Sequence, residues 1–297
     1  MHLLEAAILR TVLYADVFQF PLSLTELHYY LIHDEPVSLE AIQNTLQHSP
    51  YLQALLCLDA GYIALLDNSH IIPMRQKRDQ LAQQLQPIAA RYGKWLANIP
   101  FVRMVALTGA LAARNPAHEK DDFDYLLVTQ PGRVWLARAM AILVVRIVRR
   151  RGRELCPNYI LAADNLVQER QDLYIARELA QMLPLYGYPL FEEMHRVNHW
   201  MTTFFPNAVS PRQASPDHHN VVKSWLEFVL GGKVGDWLEQ WEYQRKKARF
   251  EQMAAQPQAH AQVDSQRVKG HFQDHGQRIM KLYEEKLQAY GLEKIHI

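Results

Sequence analysis

Two aspartates one residue apart, Asp122 and Asp124, stand at the start of the run Phe123-Asp124-Tyr125-Leu126-Leu127-Val128-Thr129, whose apolar content predicts a strand. Residues two apart on a strand project from one face, so both carboxylates can share a hard divalent cation such as Mg²⁺. Upstream, Val102-Arg103-Met104-Val105-Ala106-Leu107 reads as another strand and Thr108-Gly109-Ala110 as a tight turn. A turn of small residues lets backbone N–H groups approach an anion, and a helix starting there adds the positive end of its dipole. The spacing therefore predicts a phosphate held between turn and acids. Arg114, just past the turn, is a fork donor for phosphate oxygens, and the same residue type is also at home on an ordinary surface. A bare pair of acids at a strand entrance more often guards an edge; the preceding strand, the glycine turn and the apolar run that follows favour a site.

The elements that must position these groups divide the chain into four parts: a helical module over 1–72, a connecting helix over 73–98, a small mixed-sheet α/β core over 99–170, and a helical region over 171–297. In the first part Leu4, Ile8, Val12 and Leu13 recur at helical spacing, and Pro21 ends that helix. Ser23 with Glu26, and Ser38, mark the N-termini of two further helices. Leu55–Leu58, Asp59-Ala60-Gly61 and Tyr62–Leu66 then read as a hairpin, which completes a winged-helix-like plan. The third helix, Leu39 to Leu46, carries no Lys or Arg, which argues against a DNA operator. Arg75, Lys77 and Arg78 read as a solvated face rather than a phosphate-binding patch. After the core, helices are predicted over Gln171–Tyr186, Leu190–Phe205, Val221–Phe250 and Gly276–Tyr290, with loops over Pro206–Asn220 and Ala254–Ser265.

Among 297 residues, Lys+Arg 32 nearly balance Asp+Glu 31, so no global field favours wrapping nucleic acid. The two cysteines, Cys57 and Cys156, form neither a disulfide framework nor a Cys-x-x-Cys metal motif. With no signal-peptide pattern at the N-terminus, a cytoplasmic protein is expected. The most apolar stretch, Val134 to Val148, contains Arg138 and Arg146 and falls short of the roughly 20 residues that span a bilayer. No membrane association is expected.

On the string from Thr108 to Asn115 followed by Asp121-Asp122-Phe123-Asp124, the sequence resembles the nucleotidyltransferase superfamily over about residues 101 to 165. The wider layout, including Tyr174–Gln181 and Pro184–Gly187, is similar to bacterial nucleotidyltransferase-domain proteins with a winged-helix-like front. The resemblance implies an α+β or α/β fold with a small mixed sheet. It also implies a nucleoside triphosphate bound at Thr108, Gly109 and Ala110 with help from Arg114, one or two Mg²⁺ ions on Asp122 and Asp124, and transfer of a nucleoside monophosphate to an acceptor hydroxyl. Two departures stand out. Ala110 replaces the usual Ser or Gly, and the third strand, Cys156 to Leu161, carries no acid, which leaves Asp164 at its end as the nearest third carboxylate. Asp164 serves equally as a helix or turn cap. These departures keep open a catalytically silent nucleotide-binding or regulatory protein.

Other clusters carry less. His218, His219, His271 and His275 lack a completing ligand set, and Lys269-Gly270-His271-Phe272 reads as a loop over the core. Arg146, Arg149, Arg150, Arg151 and Arg153 match the negative end of a helix dipole. With Arg245–Arg249 they leave RNA as a less favoured partner. Trp225, Leu226, Phe228, Val229, Trp237, Leu238 and Trp241 form a stripe read as core or as a contact with another subunit or protein.

Overall fold

The computed structural model describes residues 2–208, 220–254, 264–269 and 275–293. Among them lie twelve helices and two small sheets, an α+β arrangement. The chain begins with α1 (Leu3–Val17), β1 (Leu22–Ser23), α2 (Leu24–Tyr29), α3 (Leu39–His48), α4 (Pro50–Leu55), β2 (Leu56–Asp59) and β3 (Tyr62–Leu65). Capping chemistry sets these boundaries. The Ser23 hydroxyl accepts from the Glu26 N–H while the Glu26 carboxylate accepts from the Ser23 N–H, a reciprocal capping box. Ser38 caps α3 from one side only, accepting from the Ala41 N–H, and Ser49 followed by Pro50 starts α4, a helix beyond the three expected. Strands β2 and β3 pair antiparallel with Asp59 opposite Tyr62. Ala60 and Gly61 both take positive φ between them, as a two-residue type I′ turn requires. β1 adds to the outer side of β3.

Helix α5 (Ile72–Ala97) then runs through Pro87 to the second sheet. That sheet is built from β4 (Val102–Leu107), β5 (Phe123–Thr129), β6 (Leu155–Ala162), β7 (Leu183–Tyr186) and β8 (Arg267–Lys269), in the order β7-β4-β5-β6-β8. Only the β5–β6 pair is parallel, and α7 (Val134–Arg149) is its crossover; α6 (Gly109–Ala112) is a single turn between β4 and β5. After β6 come α8 (Leu173–Gln181), α9 (Tyr188–Val197), α10 (Val221–Leu230), α11 (Lys233–Ala254) and α12 (His275–Ala289).

Alternation along the strands sorts their side chains onto two buried faces. Val105, Leu107, Phe123, Tyr125, Leu127 and Ile160 pack with Leu85, Tyr92 and Leu96 of α5 and Trp135, Ala141 and Val145 of α7. On the other face Met104, Ala106, Leu126, Val128 and Leu161 join one continuous core with Ile8, Leu13 and Leu27 of the N-terminal helices, Ala176 and Leu179 of α8, Phe191 of α9 and Tyr283 of α12. α12 is tied back to α1 by the Lys286 Nζ donating to Asp16 Oδ2 at 2.5 Å.

Several expectations are corrected. The segment Gln171–Tyr186 is not one helix: Met182 leaves α8 with extended geometry, and Leu183–Tyr186 pairs with β4 as an edge strand. The long helix expected over Val221–Phe250 breaks at Gly231-Gly232 into α10 and α11, because paired glycines are poor helix formers. Lys269, the one described residue of the expected Lys269–Phe272 loop, belongs to β8, paired with β6. Trp225, Phe228, Trp237 and Trp241 are 62%, 86%, 64% and 51% exposed, so this stripe is not core of the chain. Arg75 is not on a solvated face: it is buried between the Phe20 and Tyr62 rings, with its guanidinium carbon 4.3 and 5.2 Å from their centroids. His218, His219 and His271, and most of the loops at Pro206–Asn220 and Ala254–Ser265, lie outside the described residues. No helix among the described residues is long and apolar enough to cross a membrane.

Candidate functional site

The site forms where β4 ends and β5 and β6 begin. β4 and β5 are antiparallel with Leu107 opposite Tyr125, and the Thr108 N–H continues the ladder by donating to the Asp124 carbonyl at 3.0 Å. Thr108 and Asp124 therefore stand opposite each other on one face of the sheet. Gly109 follows with φ +66°, a conformation that costs an L residue about 1–2 kcal/mol. A Cβ there would lie 2.2 Å from Asp124 Oδ2. The absent side chain of Gly109 is thus the space that the Asp124 carboxylate fills. Thr108 is buried, and its Oγ1 has no hydrogen-bond partner.

β6 runs parallel to β5 with Asp124 opposite Cys156, and the register shifts before Leu126 meets Tyr159. This irregularity brings Cys156 and Asn158 both to Asp124: Asn158 Nδ2 donates to Asp124 Oδ1 at 3.1 Å, and the Cys156 thiol lies beside the carboxylate. Ligand atoms of Asp122, Asp124 and Cys156 lie within 4.8 Å of one another. Asp122 is exposed, whereas Asp124 and Cys156 are half-buried. Burial is the main cause that pushes the Asp124 carboxyl up to about 7, with the negative charges of Asp122 and of Glu178 on α8 adding to it. Burial likewise pushes the Cys156 thiol up to about 12, reinforced by Asp124 and Asp122. A site that resists its own negative charge in this way is relieved when a cation enters. Oxygen donors from two carboxylates suit Mg²⁺, so Asp122 and Asp124 fit the metal the sequence implies.

The other expected site residues are placed differently. Ala110 is exposed at the start of α6, one residue from the Gly109–Asp124 contact. Arg114 does not present a free fork: its Nε and Nη2 donate to the two oxygens of Asp79 at 2.7 and 2.9 Å. Asp164 is exposed beyond the far end of β6. Six residues of strand separate Cys156 from Ala162, about 20 Å at about 3.3 Å each, so Asp164 is remote from Asp124. The parallel pairing of β5 and β6 dictates this, because it puts the first residues of β6, not the last, beside the acids.

Cys156, Asn158 and Glu178 are the groups that sequence reasoning missed. The first two carry a signal in hindsight, since a parallel neighbour of β5 must begin level with Asp124. Glu178 has none: its charge bears on Asp124 only because the fold sets α8 near the strand ends, where Gln181 Nε2 donates to Glu178 Oε1 at 2.7 Å.

Beside the site is a cleft of about 520 Å³ between the N-terminal helices, α5, α6 and the α8–β7 junction. Tyr29, Tyr30 and Tyr62 line it together with Gln181 and the α6 end at Ala112 and Ala113. Its floor is an ion-pair group in which Arg75 donates to Glu26 at 2.7 Å and to Asp79 at 3.2 Å, and Arg114 completes the set.

Comparison of the chain with protein-family models, with curated proteins and with solved structures yields no match.

Proposed function

We propose that the chain is a Mg²⁺-dependent nucleotidyltransferase that moves a nucleoside monophosphate from a nucleoside triphosphate to an acceptor hydroxyl, releasing pyrophosphate. The observation that carries this reading is the interlocking of Gly109 and Asp124, which seats a metal-binding carboxylate against the turn expected to receive phosphate. Cations on Asp122 and Asp124 would supply charge neutralisation for an in-line displacement at phosphorus. In this reading the backbone N–H groups of Gly109 and Ala110 and the unpartnered Thr108 hydroxyl meet phosphate oxygens. The neighbouring cleft, with its three tyrosines and Gln181, receives the acceptor. The N-terminal helices and the β2–β3 hairpin are read as a winged-helix-like module whose side chains build one wall of that cleft.

A second reading, a nucleotide-binding protein without turnover, is favoured by one specific observation: the β6 groups that reach Asp124 are an amide and a thiol, not a third carboxylate. Glu178 is the remaining acid near Asp124, and its position on α8 makes it the group on which the first reading depends for a base. Calorimetric titration of ATP, GTP, CTP and UTP with Mg²⁺ tests both readings. Binding lost in Asp122→Ala/Asp124→Ala supports a nucleotide site, and Asp124-dependent pyrophosphate release separates enzyme from silent binder. Absence of binding by all four nucleotides overturns both.

A further inference from the structure

We propose that one cation position of this site is selective for a thiophilic divalent ion, Zn²⁺ or a chemical relative of it, held by Cys156 together with Asp122 and Asp124. The inference rests on the reading of Asp122 and Asp124 as a metal site and adds the identity of the ion. Three side chains, two from β5 and β6 and one from the residue that precedes β5, converge there, and their ligand atoms lie within 4.8 Å of one another. Metal–sulfur and metal–oxygen bonds of about 2.3 and about 2.0–2.2 Å place two ligands of one tetrahedral ion about 3.3–3.7 Å apart, within a side-chain rotation of this arrangement.

Register fixes the sulfur's position, because Cys156 is the β6 partner of Asp124 in the parallel pairing and not a surface thiol that happens to be near. A second observation points to a ligand at the same place. Thr108, opposite Asp124 on the same face, is 7% exposed with its hydroxyl oxygen unpartnered, and a buried hydroxyl costs about 1–3 kcal/mol unless something meets it. A metal-bound water or a phosphate oxygen is the kind of group that would.

Softness makes the choice of ion. Thiolate ligands select Zn²⁺, Co²⁺ and Cd²⁺ over Mg²⁺, whereas carboxylates alone do not discriminate in that direction. Two carboxylates and one thiolate also leave a tetrahedral ion an open position, as catalytic sites require. On binding, the Cys156 S–H bond breaks, sulfur keeps the electron pair for the metal, and the proton leaves to water.

Co²⁺ titration of the full chain under reducing conditions, without nucleotide, tests this through the near-ultraviolet thiolate-to-cobalt charge-transfer band. A saturable band at one ion per chain is expected. It disappears in Cys156→Ser and in Asp124→Asn, and it persists in Cys57→Ser, whose thiol lies on β2 of the other sheet. Zn²⁺ affinity falls at least tenfold in Cys156→Ser while Mg²⁺ affinity changes less than twofold; circular dichroism checks that each variant is folded. No band in wild type, or a band that survives Cys156→Ser, overturns the proposal. Pyrophosphate release with Mg²⁺ but no cobalt–sulfur band sinks this inference and leaves the transferase standing. A cobalt–sulfur band without any nucleotide binding does the reverse.

Discussion

Gly109 and Asp124 occupy one space: the carboxylate Oδ2 of Asp124 lies where a Gly109 Cβ would be, 2.2 Å from it. The turn and the acid are therefore a single fitted unit. Their fit joins the conformation of the β4–α6 connection to the position of the Asp124 carboxylate on the next strand.

Gly109→Ala should break that unit. The substitution forces a Cβ into a left-handed conformation, at about 1–2 kcal/mol, and displaces the Asp124 carboxylate. Urea unfolding should show a loss of at least that size, and calorimetry should show divalent-cation affinity reduced more than tenfold. Unchanged cation binding in a folded Gly109→Ala protein would sever the proposed link between turn and metal ligand.

Much of this arrangement is legible in the sequence alone. Asp122 and Asp124, the glycine turn, the capping serines Ser23 and Ser38 and the β2–β3 hairpin rest on local rules of period, cap and turn, and they appear where those rules put them. The edge strands β7 and β8 did not show themselves, since strands this short with no hairpin turn beside them carry too little pattern and owe their form to pairing with β4 and β6. The partners of Arg114 and the burial of Arg75 were not legible for a related reason. A guanidinium can serve a phosphate, the solvent or a buried carboxylate, and here Asp79 and Glu26, far off in sequence, decided the matter.

Arg75 is the keystone of the cleft floor, with its side chain 1% exposed and its partners Glu26 and Asp79 at 20% and 17%. It also donates to the carbonyls of Pro21 and Arg114, so it binds the N-terminal helices, α5 and α6 to one another. Arg75→Met keeps the bulk but strands Glu26, at an expected cost of about 3–5 kcal/mol. Arg75→Met/Glu26→Gln should recover part of that loss in a double-mutant cycle. Additive effects of the two substitutions would mean that the pair does not act as a unit.

His195 gives the fold an acid sensitivity. Burial beside Phe191, ring centroids 4.4 Å apart, pushes the imidazole down to about 4 from an ordinary 6.5. Between those values the unfolded chain takes a proton that the folded chain refuses, so stability is full above pH 6.5 and is lost as pH falls toward 4. The loss amounts to roughly 3 kcal/mol at about 1.4 kcal/mol per pH unit. Denaturant midpoints of wild type and His195→Leu across this range should diverge, with the shallower slope in the variant. Parallel slopes would assign the acid sensitivity to other groups.

Asn158→Asp addresses whether the β6 amide is what separates this site from a fully acidic one. Asn158 donates to Asp124 Oδ1 at 3.1 Å, an interaction that a second carboxylate replaces with repulsion. Without cation the variant should be less stable than wild type, because Asp124 already lies close to the charges of Asp122 and Glu178. With Mg²⁺ the order should reverse: a third oxygen ligand beside Asp124 should tighten Mg²⁺ binding about tenfold or more and raise the thermal midpoint above that of wild type under the same conditions. Pyrophosphate release then distinguishes the two functional readings. If wild type is a silent binder for want of a third acid, Asn158→Asp should gain turnover. If Glu178 already serves, Asn158→Asp should change Mg²⁺ affinity with little change in rate, and Glu178→Gln should abolish release in both backgrounds.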